Sequence, residues 1–144
     1  MYKKILIALD NSLADEGILA HVAELAPRFQ SKVLLLHVAD GFAARCFDQL
    51  KLAESEEMKG DRNYLEKVAA GLRARNLTVE TKLALGNPPT EILKVANAES
   101  CDLIALAGHG HRLFGDIFHG STITQVRHET TIPLLIVRTP PKPK

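Results

Sequence analysis

CDLIALAGHG, residues 101–110, places an unbroken apolar run, Leu103 to Ala107, between an acid and two closely spaced glycines. A run this short, with no polar residue at alternate positions, fits a strand buried on both faces, which is the habit of a parallel sheet. Four other segments read alike: Lys4 to Leu9, Val33 to Val38, Leu77 to Leu85 and Leu134 to Val137 are short, mostly apolar and rich in Val, Ile and Leu. Helical patterns separate them. Leu19, Val22, Leu25, Ala26 and Phe29 follow one helix face, as do Leu65, Val68, Ala69 and Leu72, and more briefly Ile92, Val95 and Ala96.

Start signals agree with this division. Ser12 with Asp15 resembles a capping box, Pro88-Pro89 puts proline in a helix's first turn, and Gly120-Ser121 precedes the helical pair Ile123 and Val126. Strand and helix therefore alternate and end in a strand. The alternation predicts one three-layer α/β/α domain, Rossmann-like, with an open five-stranded parallel sheet, helices on both faces and right-handed crossovers. Ala39 to Leu50 fits neither period and reads as a variable crossover. The tail Thr139 to Lys144, TPPKPK, continues neither strand nor helix and is expected to fray, which leaves residues 1–138 as the domain.

The bulk properties narrow the function classes. A chain of 144 residues suits one domain, and 46% hydrophobic residues supply its core. A formal net charge of +1 gives no overall field to attract nucleic acid or anionic lipid. The N-terminal lysines lead into an apolar run that meets Asp10 at once, unlike a signal peptide, and no run approaches membrane-spanning length. Cys46 and Cys101 have no CxxC spacing and read as two reduced thiols of a cytoplasmic protein.

Open α/β sheets bind ligands beyond the carboxyl ends of their strands, where the strand order reverses. Three segments meet that description: Ala8-Leu9-Asp10, His37-Val38-Ala39, and Gly108 to Thr122, GHGHRLFGDIFHGST. In the last, Gly108 and Gly110 let backbone approach a ligand closely. Gly120, Ser121 and Thr122 sit at a helix start whose free N–H groups suit an anion. The two hydroxyls either contact phosphate oxygens or cap the helix. Arg112 is the permanent cation of the stretch, placed either against a terminal phosphate or in solvent. Leu113, Phe114, Ile117 and Phe118 suggest one apolar turn that packs on the core or a partner.

The stretch lacks the GxxxxGK[ST] of a Walker A loop, and ALDNS after the first strand lacks glycine altogether. His109, His111 and His119 stand in no HExxH pattern and near no cysteine pair, so they read as polar loop histidines rather than metal ligands. His21 and His128 are placed on helices facing solvent. His37, ending a strand, belongs to the core or to a pocket wall. No positioned base and no acid-rich magnesium site supports fast phosphoryl transfer. Asp10 reads either as a ligand contact or as part of an Asp-Asn-Ser turn.

These residues resemble the universal stress protein family, whose nucleotide-binding members carry G-x2-G-x9-G-[ST] after strand four. Gly110, His111 to His119 and Gly120-Ser121 match its later part, while its first position falls on Ala107. That is a departure, with Gly108 next to it. KKILIALDNS, KVLLLHVAD, LGNPPTEIL and TIPLLIVR extend the likeness along nearly the whole chain.

The resemblance implies an adenine nucleotide alpha hydrolase-like fold of strand order 3-2-1-4-5. It also implies a cytoplasmic, ATP-binding regulatory protein of stress response. Asp10 would contact the nucleotide near its ribose, the Val38 backbone would recognise adenine, and Ala8 and Leu106 would line the base pocket. Gly110, Gly120, Ser121 and Thr122 would hold the phosphates, with Mg or Mn bound through them. A homodimer through strand five, residues 133–138, is implied as well. The alternatives are a dimeric interaction protein with a vestigial pocket, or a slow ATPase that phosphorylates itself, with Ser121 as an acceptor.

Overall fold

Each of the five apolar runs forms a strand in the computed structural model, which describes residues 1–39, 56–109 and 119–139. In chain order the elements are β1 (Lys4–Leu9), α1 (Asp15–Phe29), β2 (Lys32–Ala39), α2 (Glu56–Arg73), β3 (Thr78–Leu85), α3 (Pro88–Ala98), β4 (Leu103–His109), α4 (His119–Glu129) and β5 (Leu134–Thr139). The strands form one sheet in the order β3-β2-β1-β4-β5, with every neighbouring pair parallel. The expected sheet and its strand order are both present. The crossover after Ala39 and the tail after Thr139 lie outside the described residues.

Period-two alternation divides the core between the two faces of the sheet. Ile5, Ile7 and Leu9 of β1, with Leu103, Ala105 and Ala107 of β4, pack under α1 and α2. Leu6 of β1, with Ile104 and Leu106 of β4, packs under α3 and α4. Central strands covered on both sides need apolar residues at every position, and this is why β1, β2 and β4 read as continuous runs. β3 lies at an edge and alternates instead, exposing Thr78 and Glu80 while burying Val79.

Three helices close by the same device. Gln30, Asn76 and Ser100 take left-handed backbone angles of φ 53°, 66° and 56°. The following N–H groups of Ser31, Leu77 and Cys101 return to the carbonyls of Ala26, Leu72 and Ala96. This six-to-one closure satisfies carbonyls that the helix end leaves open and turns the chain into the next strand. After β3 the turn depends on Gly86, whose φ of 137° strains any residue with a Cβ.

The start of α1 corrects the sequence reading. Its N-cap position is Ala14, which makes no side-chain cap bond, and Asp15 is its first residue. Ser12 Oγ accepts a hydrogen bond from the Ala14 N–H at 3.2 Å, short of the N3 position a capping box requires. The reason is Asn11, whose φ of 62° adds a left-handed turn and sends the Asp15 carboxylate further back along the chain.

Candidate functional site

The chain runs β1, β2, β3 towards one edge of the sheet, then crosses to β4 and β5 on the other side of β1. The order therefore reverses between β1 and β4, and their carboxyl ends diverge there into a crevice. A cleft of about 20 Å³ lies at that point, lined by Ala8, Asp10, Leu106, Ala107 and Thr122. Five candidates from three separate stretches of sequence thus meet at one place. Ile92 of α3 and Ile123 of α4 complete the lining. Both had the signature of helix-face core residues, which hid their second role.

The volume is that of roughly one water molecule, so these residues form the floor of a site. That floor is apolar, with one carboxylate at its rim. Thr122 is buried in the first turn of α4, where helix N–H groups have no partner within the helix. Gly120 and Ser121 also lie in this first turn, since α4 begins at His119 rather than after Ser121. The helix runs further toward the crevice than the apolar pair Ile123 and Val126 could reveal.

Ala107 causes no backbone conflict. It lies in extended β4, is absent from the residues of positive φ, and is buried in the core under α1 and α2. Gly108 has a packing reason: a Cβ there would come within 2.9 Å of Ile136 Cγ2 and 3.3 Å of Arg138 Cγ. Its missing Cβ lets β4 approach β5 closely. Val38 is buried in β2 opposite Ala84 and does not line the cleft. His109 ends β4, opposite Thr139, instead of belonging to a loop. Gly110, Arg112, His111 and the apolar turn from Leu113 to Phe118 lie outside the described residues. His21 and His128 are exposed on their helices, as expected.

Behind Asp10 lies a polar network that the sequence reading missed. The Asp15 carboxylate accepts the backbone N–H of Asp10 at 3.2 Å and of Asn11 at 2.9 Å, and Tyr64 of α2 donates its hydroxyl proton to it at 2.7 Å. Ser12 Oγ donates to Asp10 Oδ1 at 2.6 Å. Asp15 is 1% exposed. Burial raises its pKa to about 6; the Tyr64 hydrogen bond opposes the rise and the nearby Asp10 charge adds to it. Burial, then the bond to Asp15, pushes the Tyr64 phenol upward as well.

A second pair adjoins the first. His37 Nδ1 lies 2.8 Å from the Leu9 carbonyl, which can only accept, so this nitrogen donates. His37 Nε2 lies 3.2 Å from Asp61 Oδ2, and Asn11 Nδ2 donates to Asp61 Oδ1 at 3.5 Å. His37 and Asp61 are both buried. The available signal was weak: a histidine inside the apolar run KVLLLHVA, and Asp61 with Tyr64 one turn apart beside the core residue Leu65.

The comparisons agree with this architecture. The model of the universal stress protein family matches residues 1–138. A universal stress protein of Methanocaldococcus jannaschii is 29% identical over 158 aligned positions, covering 96% of this chain and 96% of its own. The solved structure of that relative superposes with a TM-score of 0.78 at 28% identity, covering 99% of each chain. Two more distant structures share the fold. One, from Archaeoglobus fulgidus, is a universal stress protein in complex with dAMP, with a TM-score of 0.71, 19% identity and 94% and 98% of the two chains covered. The other is a universal stress protein in complex with cAMP, with a TM-score of 0.71, 14% identity and 96% and 98% coverage.

Proposed function

The chain belongs to the universal stress protein family, and from that premise we propose that it is a cytoplasmic regulatory protein of stress response that binds ATP where β1 and β4 diverge. The observation that carries this reading is the convergence of Ala8, Asp10, Leu106, Ala107 and Thr122 on one cleft at the switch point of the sheet. An apolar floor suits the faces of a planar base, and a carboxylate at the rim suits ribose hydroxyls. The first turn of α4 supplies N–H groups on the phosphate side. The complexes of relatives with dAMP and cAMP support adenine nucleotides as the ligand class.

In this reading Asp10 accepts hydrogen bonds from the ribose, Ala8 and Leu106 contact the base, and the Val38 backbone reads its edge. Gly110, Gly120, Ser121 and Thr122 hold the phosphates, with Arg112 towards the terminal one. Mg or Mn is carried by the phosphates themselves. The Ala107 Cβ, seated in a regular strand, leaves the backbone conformation ordinary and is compatible with binding. Tag-free protein, purified without added nucleotide and then denatured, is expected to release adenine nucleotide, and calorimetry on stripped protein to give one ATP per chain. A folded protein that gives no heat with millimolar ATP and magnesium would leave the pocket vestigial and move function to the surface.

The homodimer rests on a separate observation. Among the described residues β5 pairs with β4 on one side only, and Ile136 on it is 42% exposed. An apolar edge strand is a template for pairing, and a two-fold mate through residues 133–138 covers it. Ile136→Lys is expected to convert a dimer into a folded monomer in sedimentation. A wild-type protein that stays monomeric at all concentrations would overturn the assignment.

A further inference from the structure

Asp15 touches no part of the cleft, yet it holds the segment that does. Its two oxygens take the successive N–H groups of Asp10 and Asn11, and these bonds fix the left-handed Asn11 that brings Asp10 to the rim. The charged and titratable groups around it are Asp10 and Glu16 nearby in the chain, Tyr64 and Asp61 from α2 and, through Asp61, His37 from β2. The nearest donors serve the ionised carboxylate. The neighbour that favours the protonated form is the Asp10 carboxylate, whose charge repels that of Asp15 and which the bond from the Asp10 N–H to Asp15 Oδ1 keeps close by.

We propose that Asp15 is the positioning residue of the nucleotide site, and that a proton taken up between Asp15 and Asp10 ties the Asp10 carboxylate inward, so that affinity for adenine nucleotide falls on mild acidification. The inference rests on the reading of the cleft as a nucleotide site. Ionised, Asp15 takes the two backbone N–H groups and the Tyr64 hydroxyl, and Asp10 remains an acceptor for the ribose. Protonated, Asp15 donates to Asp10 and competes with the ribose for the same oxygens. The raised pKa of Asp15, about 6, places this exchange between neutral and mildly acidic pH.

The sign on stability is opposite to the sign on binding. An acid whose pKa is higher in the folded state than in the unfolded state binds its proton more tightly when folded. Its contribution therefore favours folding increasingly as pH falls from about 6 towards the unfolded value of 3.8 and is absent at higher pH. Acid loss of binding through this pair is thus distinct from acid unfolding, which would lower both.

The test is calorimetric titration with ATP and magnesium between pH 7.5 and pH 5 on the wild type, Asp15→Asn and Tyr64→Phe, with circular dichroism at each pH. The wild type is expected to lose about tenfold in affinity over this range. Asp15→Asn, an isostere of the protonated acid, is expected to bind weakly throughout and to show only the slope of ATP's own terminal phosphate. Tyr64→Phe removes a bond to the ionised form and is expected to move the loss to higher pH. Equal slopes in wild type and Asp15→Asn, or an unmoved midpoint in Tyr64→Phe, would overturn the switch. If Asp15→Asn fails to fold, the Tyr64→Phe midpoint decides. Folded wild type that binds no ATP at pH 7.5 would overturn the nucleotide reading itself, a different result from a flat profile.

Discussion

Asp10→Ala is expected to weaken ATP binding by about 10- to 100-fold, as the loss of hydrogen bonds to a charged acceptor does, while the protein folds as before. Two local changes act on stability in opposite directions. The variant loses the 2.6 Å bond from Ser12 Oγ, and it relieves the repulsion that Asp10 exerts on buried Asp15. Stability at neutral pH is therefore expected to change by less than about 1 kcal/mol. Calorimetry and urea denaturation on the same preparation measure both quantities. Affinity within a factor of about two of the wild type, from folded protein, would remove Asp10 from the site and leave it as part of a turn. The variant also lacks one member of the carboxyl pair, so any pH dependence of binding that remains arises elsewhere.

The parts of this protein that the sequence discloses are those governed by a period. Continuous apolar runs disclose β1, β2 and β4 because each is covered on both faces, and recurring apolar residues disclose the inward sides of α1, α2 and α3. The candidate cleft is legible for the same reason, since strand ends are fixed once strands are fixed. What escapes depends on single backbone angles and on contacts between distant segments. Asn11 at φ 62° turns a capping signal into a clamp on the preceding residues. Gly108 resembles a ligand-facing glycine, and the sequence does not show its packing reason, Ile136 on the neighbouring strand. Asp61 and Tyr64 carry only a weak pattern, one helical turn apart beside the core residue Leu65. Their meaning appears only when α2 packs over the ends of β1 and β2.

That packing makes a second strong effect expected: Asp61→Ala should destabilise the fold by about 2 kcal/mol, the cost of leaving a buried polar group without its hydrogen-bond partner. His37 is held on its other side by the Leu9 carbonyl at 2.8 Å, so its ring cannot turn to solvent without breaking that bond. Removing Asp61 therefore leaves Nε2 facing a void in a site where His37 is only 9% exposed, and Asn11 Nδ2 loses its acceptor as well. Urea denaturation gives the cost directly. The companion variant, Asp61→Leu with His37→Leu, replaces both members by apolar volume and is expected to cost less than Asp61→Ala alone, since no buried nitrogen is left without its carboxylate. A loss below about 1 kcal/mol in Asp61→Ala would mean that water reaches Nε2 and that the pair behaves as a surface one. The distinction matters for the site, because Asp61 also holds Asn11 and so links α2 to the turn that presents Asp10. If the pair is buried as it stands, Asp61→Ala should weaken ATP binding in addition to stability. If it is solvated, binding should be unchanged, and the turn is then held without help from α2's Asp61.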